Sequence, residues 1–144
     1  MRDILIRPVE PPDLDVFFQN EHEPGAAEMA GFPARPRDVF FERWRGLLVD
    51  PDTVLRAVLV DGEVAGQVLL FTRDNAREAG YWISMRFWGQ GIATAALRLF
   101  LVEVTERPLT GKIAPHNLAS ARVLEKCGFR RVSVNLEEMI FRLE

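Results

Sequence analysis

The sequence predicts an α+β fold in which one mostly antiparallel mixed sheet of six to seven strands is flanked by about four helices. Three observations lead there. Two β-branched-rich runs, Thr53 to Val60 and Glu63 to Thr72, are separated by Asp61-Gly62, a pair that supplies the positive φ angles of a two-residue type I′ turn. A third run, Ala76 to Ser84, follows the polar turn Arg73-Asp74-Asn75, so the middle of the chain is an antiparallel meander rather than a parallel crossover. On either side of this meander, apolar residues recur at helical spacing.

Ile4, Leu5, Ile6 and Val9 form a short apolar run broken by Pro8 and by Pro11-Pro12, which predicts a first strand ahead of a helix holding Leu14, Val16, Phe17 and Phe18. Gln19 to Arg37 contains two glycines and three prolines and is predicted as a loop, with one helical turn around Ala26 to Ala30. A helix from Arg37 to Val49 ends at Asp50-Pro51-Asp52, and its Phe40, Phe41 and Trp44 are assigned to the core with Phe17, Phe18 and Phe32. After the meander, Gly91 to about Glu106 is helical, with Ile92, Ala96, Leu99 and Phe100 on its broad apolar face. A strand, Leu109 to Ala114, follows Pro108. Asn117 to Lys126 is a short helix between an asparagine N-cap and Gly128, and the strands Phe129 to Val134 and Leu136 to Leu143 end the chain.

The 144 residues suit a single domain over 1–144. With 48% hydrophobic and 27% charged residues, the composition is that of a globular chain able to pack a core. A net charge of -3 gives no reason to expect nucleic acid or an anionic membrane as partner. A lone Cys127 cannot form a disulfide within the chain, and His22 and His116 have no zinc spacing, so no metal is expected. Arg2, Asp3 and Arg7 interrupt the first nine residues, unlike the apolar stretch of a signal peptide, and the expected location is cytoplasmic.

The chemistry is written between the third meander strand and the helix after it. Gly89 and Gly91 let the backbone approach a ligand, and the helix that begins there presents unpaired N–H groups at the positive end of its dipole. No acidic residue occurs from Phe87 to Val102 to satisfy that end, so a diphosphate would bind well. A Rossmann turn would need a third glycine where Thr94 stands, and a P-loop would need Gly-Lys-Ser/Thr; neither matches.

Gly80-Tyr81-Trp82-Ile83, followed by Phe87-Trp88-Gly89-Gln90-Gly91-Ile92-Ala93-Thr94, resembles the acetyl-CoA motif of GNAT acetyltransferases, above all the branch with the ribosomal-protein N-terminal acetyltransferases. Asn117-Leu118-Ala119-Ser120 through Gly128-Phe129 resembles that family's helix beside the pantetheine arm. The resemblance implies a GNAT-type acyl-CoA N-acyltransferase fold and acetyl transfer to a primary amine by direct attack in a ternary complex. It further implies that backbone groups of Tyr81, Trp82 and Ile83 pair with the pantetheine, and that the N–H groups of Gly89, Gln90, Gly91, Ile92, Ala93 and Thr94 hold the diphosphate. Asn117 and Ser120 would lie near the thioester. Trp88 stands where the family usually has Arg or Gln, Ala93 where many members have a third glycine, and Leu124 where many place a tyrosine as general acid.

With that tyrosine absent, Ser120, on the same helix face as Leu124, is the expected partner of the departing thiolate, and Asn117 serves as both cap and contact. The candidate bases for the amine proton are Glu78, Glu21 and Glu23, directly or through water. Arg122, the best placed of a basic cluster with Lys126, Arg130 and Arg131, is expected at the ribose phosphate. Between Arg7 and Arg35 the six carboxylates Glu10, Asp13, Asp15, Glu21, Glu23 and Glu28 meet no Lys or Arg, a field that would attract a cationic amine such as a protein N-terminus or a small amine. A catalytically idle acyl-CoA sensor is the rival function. A homodimer could form through Met139-Ile140-Phe141 if that strand is an exposed edge.

Overall fold

The computed structural model describes residues 2–144. Its order is β1 (Ile4–Pro8), α1 (Asp13–Glu21), α2 (Ala26–Ala30), α3 (Arg37–Val49), β2 (Val54–Val60), β3 (Glu63–Arg73), β4 (Ala76–Ile83), α4 (Ile92–Glu103), β5 (Leu109–Ile113), α5 (Leu118–Lys126), β6 (Arg130–Val134) and β7 (Met139–Leu143), with one 3-10 turn at Met85–Phe87. The seven strands form one mixed sheet in the order β1-β2-β3-β4-β5-β7-β6. The helices number five because the single turn at Ala26–Ala30 stands as α2.

The meander forms as its turns dictate. Asp61 and Gly62 take φ of 51° and 82°, and Val60 pairs with Glu63 across them. Asp74 and Asn75 do the same, at 52° and 63°, between Arg73 and Ala76. A bulge near Ala65 breaks the β2–β3 register, and the Ala65 carbonyl accepts instead from the Ser84 N–H at 2.9 Å and the Asn20 side chain at 3.0 Å. These two bonds tie α1 and the end of β4 to one point. Helix α4 stops at Glu103, short of the expected Glu106, because Val104 is already extended.

Side-chain alternation divides the core. Val68 and Leu70 of β3, with Ala79 and Ile83 of β4, pack under Ile92, Ala96, Leu97, Phe100, Ala121 and Leu124 of α4 and α5. On the other face Leu55, Ala57 and Leu69 meet Leu14, Phe17, Phe40 and Trp44 of α1 and α3. The aromatic assignments hold except for Phe32, which is 37% exposed.

The parallel neighbours β4 and β5 pair only at Glu78 and Thr110. Beyond that pair β4 runs on to Ile83 and β5 to Ile113 without further pairing, so a wedge opens in the sheet. At the far side, β7 is paired on both edges, with β5 and with β6. Met139-Ile140-Phe141 therefore offers no edge to a second copy, because the chain's own β6 covers it. None of the described helices is long and apolar enough to cross a membrane.

Candidate active site

The turn between β4 and α4 is built as its glycines require. Gly91 is the N-cap of α4 with φ 77°, and no side chain caps the helix. The first turn of α4 has no acidic residue, and the N–H groups of Ile92, Ala93 and Thr94 find no acceptor among the described residues. The Trp88 indole donates to the Ile83 carbonyl at 2.8 Å and so ties the turn to the end of β4.

Helix α5 supplies the opposite wall. Asn117 is its N-cap, and the asparagine Oδ1 accepts from the Ser120 N–H at 3.2 Å. Across the gap, the Tyr81 hydroxyl donates to Ser120 Oγ at 2.8 Å. Tyr81 is the only tyrosine in the chain, and burial pushes its phenol up to about 12, against the opposing bond to Ser120.

Two cavities meet at these residues. The larger, about 370 Å³, runs from the turn at Gly89 and Gly91 along Ile92 to Thr94, past Arg122 and Lys126, to Met29 of α2. The smaller, about 140 Å³, fills the wedge between Gly80 and Gly111 to Ala114, with Phe32 and Leu124 on its walls. Tyr81, Trp82, Asn117 and Ser120 line both. An extended molecule with an anionic end at the glycine turn would bring its other end to Ser120, where a second reactant can enter from the wedge. Among the described residues no group of three or more His, Cys, Asp or Glu could hold a metal.

Residues 3–130 match the family model described as the acetyltransferase (GNAT) domain. The chain belongs to the GNAT acetyltransferase family. It is an N-acetyltransferase by that membership. Over 141 residues it is 30% identical to the Bacillus subtilis (strain 168) protein named "Putative ribosomal N-acetyltransferase YdaF", covering 88% of this chain and 77% of that one. The solved structure of RimL, a ribosomal L7/L12 alpha-N-protein acetyltransferase in complex with coenzyme A, superposes with a TM-score of 0.80 at 15% identity, over 97% of this chain and 93% of the other. The microcin C7 self-immunity acetyltransferase MccE, in complex with acetyl-CoA and AMP, superposes with a TM-score of 0.79 at 14% identity, covering 98% and 92%. At those identities the two structures speak for the GNAT fold.

Within this GNAT domain, nearly all the cofactor-side residues named from sequence lie on the larger cavity; Gln90 is not on its wall, and its side chain turns back to the Arg86 carbonyl at 3.0 Å. Leu124 is on the buried face of α5 and lines the wedge. The three candidate bases are all engaged by partners. Glu21 takes the Arg35 N–H at 2.8 Å and its guanidinium at 3.2 Å; Glu23 takes the Met85 N–H at 3.0 Å and the Ser84 hydroxyl; Glu78 is held bidentately by Arg73 at 3.1 and 2.6 Å. Burial pushes the Glu78 carboxyl up, while Arg73 and Lys112 pull it back only in part.

The acidic segment is similarly neutralised from its two ends. Asp13 is gripped by Arg7 at 2.7 Å, Glu10 lies 3.3 Å from the same guanidinium, and Asp15 meets Arg37 at 3.3 Å. The expected field over the acceptor region is therefore largely cancelled, because cations outside the segment fold back onto it. Two contributors were not found from sequence. Phe32 lies edge-on to Trp82 at 5.7 Å with Arg35 over its ring at 4.8 Å, and so walls the wedge instead of joining the core. The Tyr81 side chain reaches the site from a strand read only for its backbone. Its signal was available: it is the sole tyrosine, on the strand face opposite Trp82.

Proposed function

We propose that the chain transfers an acetyl group from acetyl-CoA to a primary amine by direct attack in a ternary complex, and that the amine is a protein N-terminus. The observation that carries this is the meeting of the two cavities at Tyr81, Asn117 and Ser120. The residues present fit coenzyme A. The N–H groups of Gly89, Gly91, Ile92, Ala93 and Thr94, with Gln90 in the same turn, form an anion cradle at a helix N-terminus that has no acidic side chain of its own. Arg122 is exposed on the rim for a ribose phosphate. On the edge of β4 that β5 leaves unpaired beyond Glu78, Tyr81 can pair with the amides of the pantetheine arm, while the Ile83 carbonyl on that edge is taken by the Trp88 indole. The thioester, which supplies the activated acyl group, then lies beside Ser120 and Asn117. The names of YdaF and RimL favour a ribosomal protein's α-amine as acceptor, and such an acceptor locates the enzyme in the cytoplasm.

Holding amine and thioester together in the wedge supplies orientation. The N–H of Ile83, on the edge of β4 turned away from β3, supports the developing oxyanion. An α-amine has an ordinary pKa of about 7.7–8.0 and is readily neutral for attack, while a thiol near 8.5 needs only modest help to leave. Ser120 is the partner of the departing sulfur. Glu78, on the Trp82 face of β4 and with its proton affinity raised, receives the amine proton through water.

The reading is tested by calorimetry with acetyl-CoA and coenzyme A, and by thiol release in the presence of short peptides covering every N-terminal residue. Binding in the roughly micromolar to submillimolar range with turnover on a subset of peptides is expected; binding without turnover would make the chain an acyl-CoA sensor, and no binding would refute the cofactor. Glu78→Gln is expected to lower kcat about tenfold or more. The sign of the pH effect follows from the raised carboxyl: in wild type the rate climbs as pH rises through a value above the ordinary 4.5, and this low-pH limb should vanish in the variant. The separate limb near pH 8 belongs to the acceptor amine and should remain. A limb unchanged in Glu78→Gln would reduce Glu78 to a structural partner of Arg73.

A further inference from the structure

We infer that Tyr81 is a positioning residue for the leaving-group step: its phenol fixes the Ser120 hydroxyl as a donor aimed at the sulfur, replacing in function the helix tyrosine that Leu124 displaces. The inference rests on the acetyl-transfer reading above and extends it to a side chain that no motif assigns.

The argument begins with the serine. Ser120 is the third residue of α5, where a free hydroxyl commonly bends back to a carbonyl of the preceding turn and offers nothing to a ligand. The Tyr81 contact changes that balance. A serine hydroxyl has one hydrogen to give and two lone pairs to accept with, and a phenol is the stronger donor of the two. At 2.8 Å the phenolic hydrogen occupies one serine lone pair, so the serine hydrogen is the one left over. Ser120 lies on the walls of both cavities, so that hydrogen is available where acyl donor and amine meet. Burial keeps Tyr81 protonated, with its value at about 12, so it remains a donor at every working pH.

The step balances without other reagents. The amine's lone pair forms the N–C bond, the C–S bond breaks with its electron pair going to sulfur, and Ser120 Oγ–H donates a hydrogen bond that stabilises the departing thiolate while keeping its own proton. The proton lost by nitrogen passes through water to Glu78 and returns through water to the thiolate, which leaves as the thiol. Tyr81 keeps its proton throughout.

The test is thiol release from acetyl-CoA with the same peptide panel, on wild type, Tyr81→Phe, Ser120→Ala and the double variant, with thermal melts alongside. Each single change is expected to lower kcat about 10- to 100-fold while KM for acetyl-CoA stays within about twofold. The double variant should be no slower than Ser120→Ala, because Tyr81 acts only through that hydroxyl. Wild-type kcat in Tyr81→Phe, or losses that multiply in the double variant, would overturn the inference while leaving the transferase intact. A wild type silent on every peptide would remove the transferase reading itself and this inference with it. Should Tyr81→Phe fail to fold, Ser120→Ala decides: wild-type kcat there overturns the inference, and a loss of kcat at constant KM sustains it.

Discussion

Gly91→Glu should abolish acetyl-CoA binding and leave a folded protein. A Cβ at Gly91 meets nothing within 4 Å, so the new side chain is not sterically refused. Its φ of 77° costs a non-glycine residue roughly 1–2 kcal/mol, and a carboxylate at a helix N-terminus returns about 0.3–1 kcal/mol of that. What the carboxylate does is occupy the N–H groups of Ile92, Ala93 and Thr94 and repel a diphosphate from the same place. A fall in calorimetric affinity of at least about 100-fold is expected, equivalent to roughly 2.7 kcal/mol. Gly91→Ala carries the same backbone cost without the charge and should bind within several-fold of wild type. Equal losses in both variants would mean that the backbone conformation, not the vacancy for an anion, is what the site requires.

The largest loss of stability is expected from Gly66→Ala. A Cβ at Gly66 would lie 1.9 Å from the Trp82 carbonyl oxygen, 2.9 Å from its carbon and 3.0 Å from Ile83 Cα, and all three atoms are backbone. No rotamer change relieves such a contact, so β3 and β4 must separate at the pair formed by Gly66 and Ile83. The cost should exceed about 3 kcal/mol, the upper part of what overpacking usually produces. At 2–4 °C per kcal/mol for a chain of this size, the melting temperature should fall by roughly 10 °C, and acetyl-CoA binding should weaken with it because Trp82 and Ile83 form the cavity wall. Gly46→Ala is the control. That glycine lies in α3 with nothing within 4 Å of a new Cβ, and alanine there should raise stability by about 0.5–1 kcal/mol. A melt of Gly66→Ala close to wild type would show that the two strands can part without harm.

Much of this protein was legible because the deciding features are local. Asp61-Gly62 specifies a turn through the φ angles its own residues tolerate, and the hairpin follows. Asn117 caps α5 because its side chain reaches the N–H only three residues on. Gly89 and Gly91, with no acidic residue in the first turn of α4, announce an uncapped helix start within one stretch of chain. The illegible features join residues far apart. Tyr81 and Ser120 are separated by 39 positions, and nothing near either one announces the other. The carboxylates that looked free between Arg7 and Arg35 are held largely by cations from outside the segment, a pairing that only the packing of α1 against its surroundings creates. The predicted dimer edge failed for the same reason, since strand order is a contest among all strands and β6 takes the place beside β7.

By itself, then, the sequence determined the element order, the hairpin turns, the glycine turn into α4 and the cap of α5, all of which depend on backbone preferences within a few residues. Tertiary structure decided the rest. It decided that β4 and β5 part after Glu78 and Thr110, that Phe32 walls the wedge so opened, and that Tyr81 meets Ser120 across it. These are contacts between chain segments brought together by burying a shared core, and their geometry is set by how the sheet and helices pack.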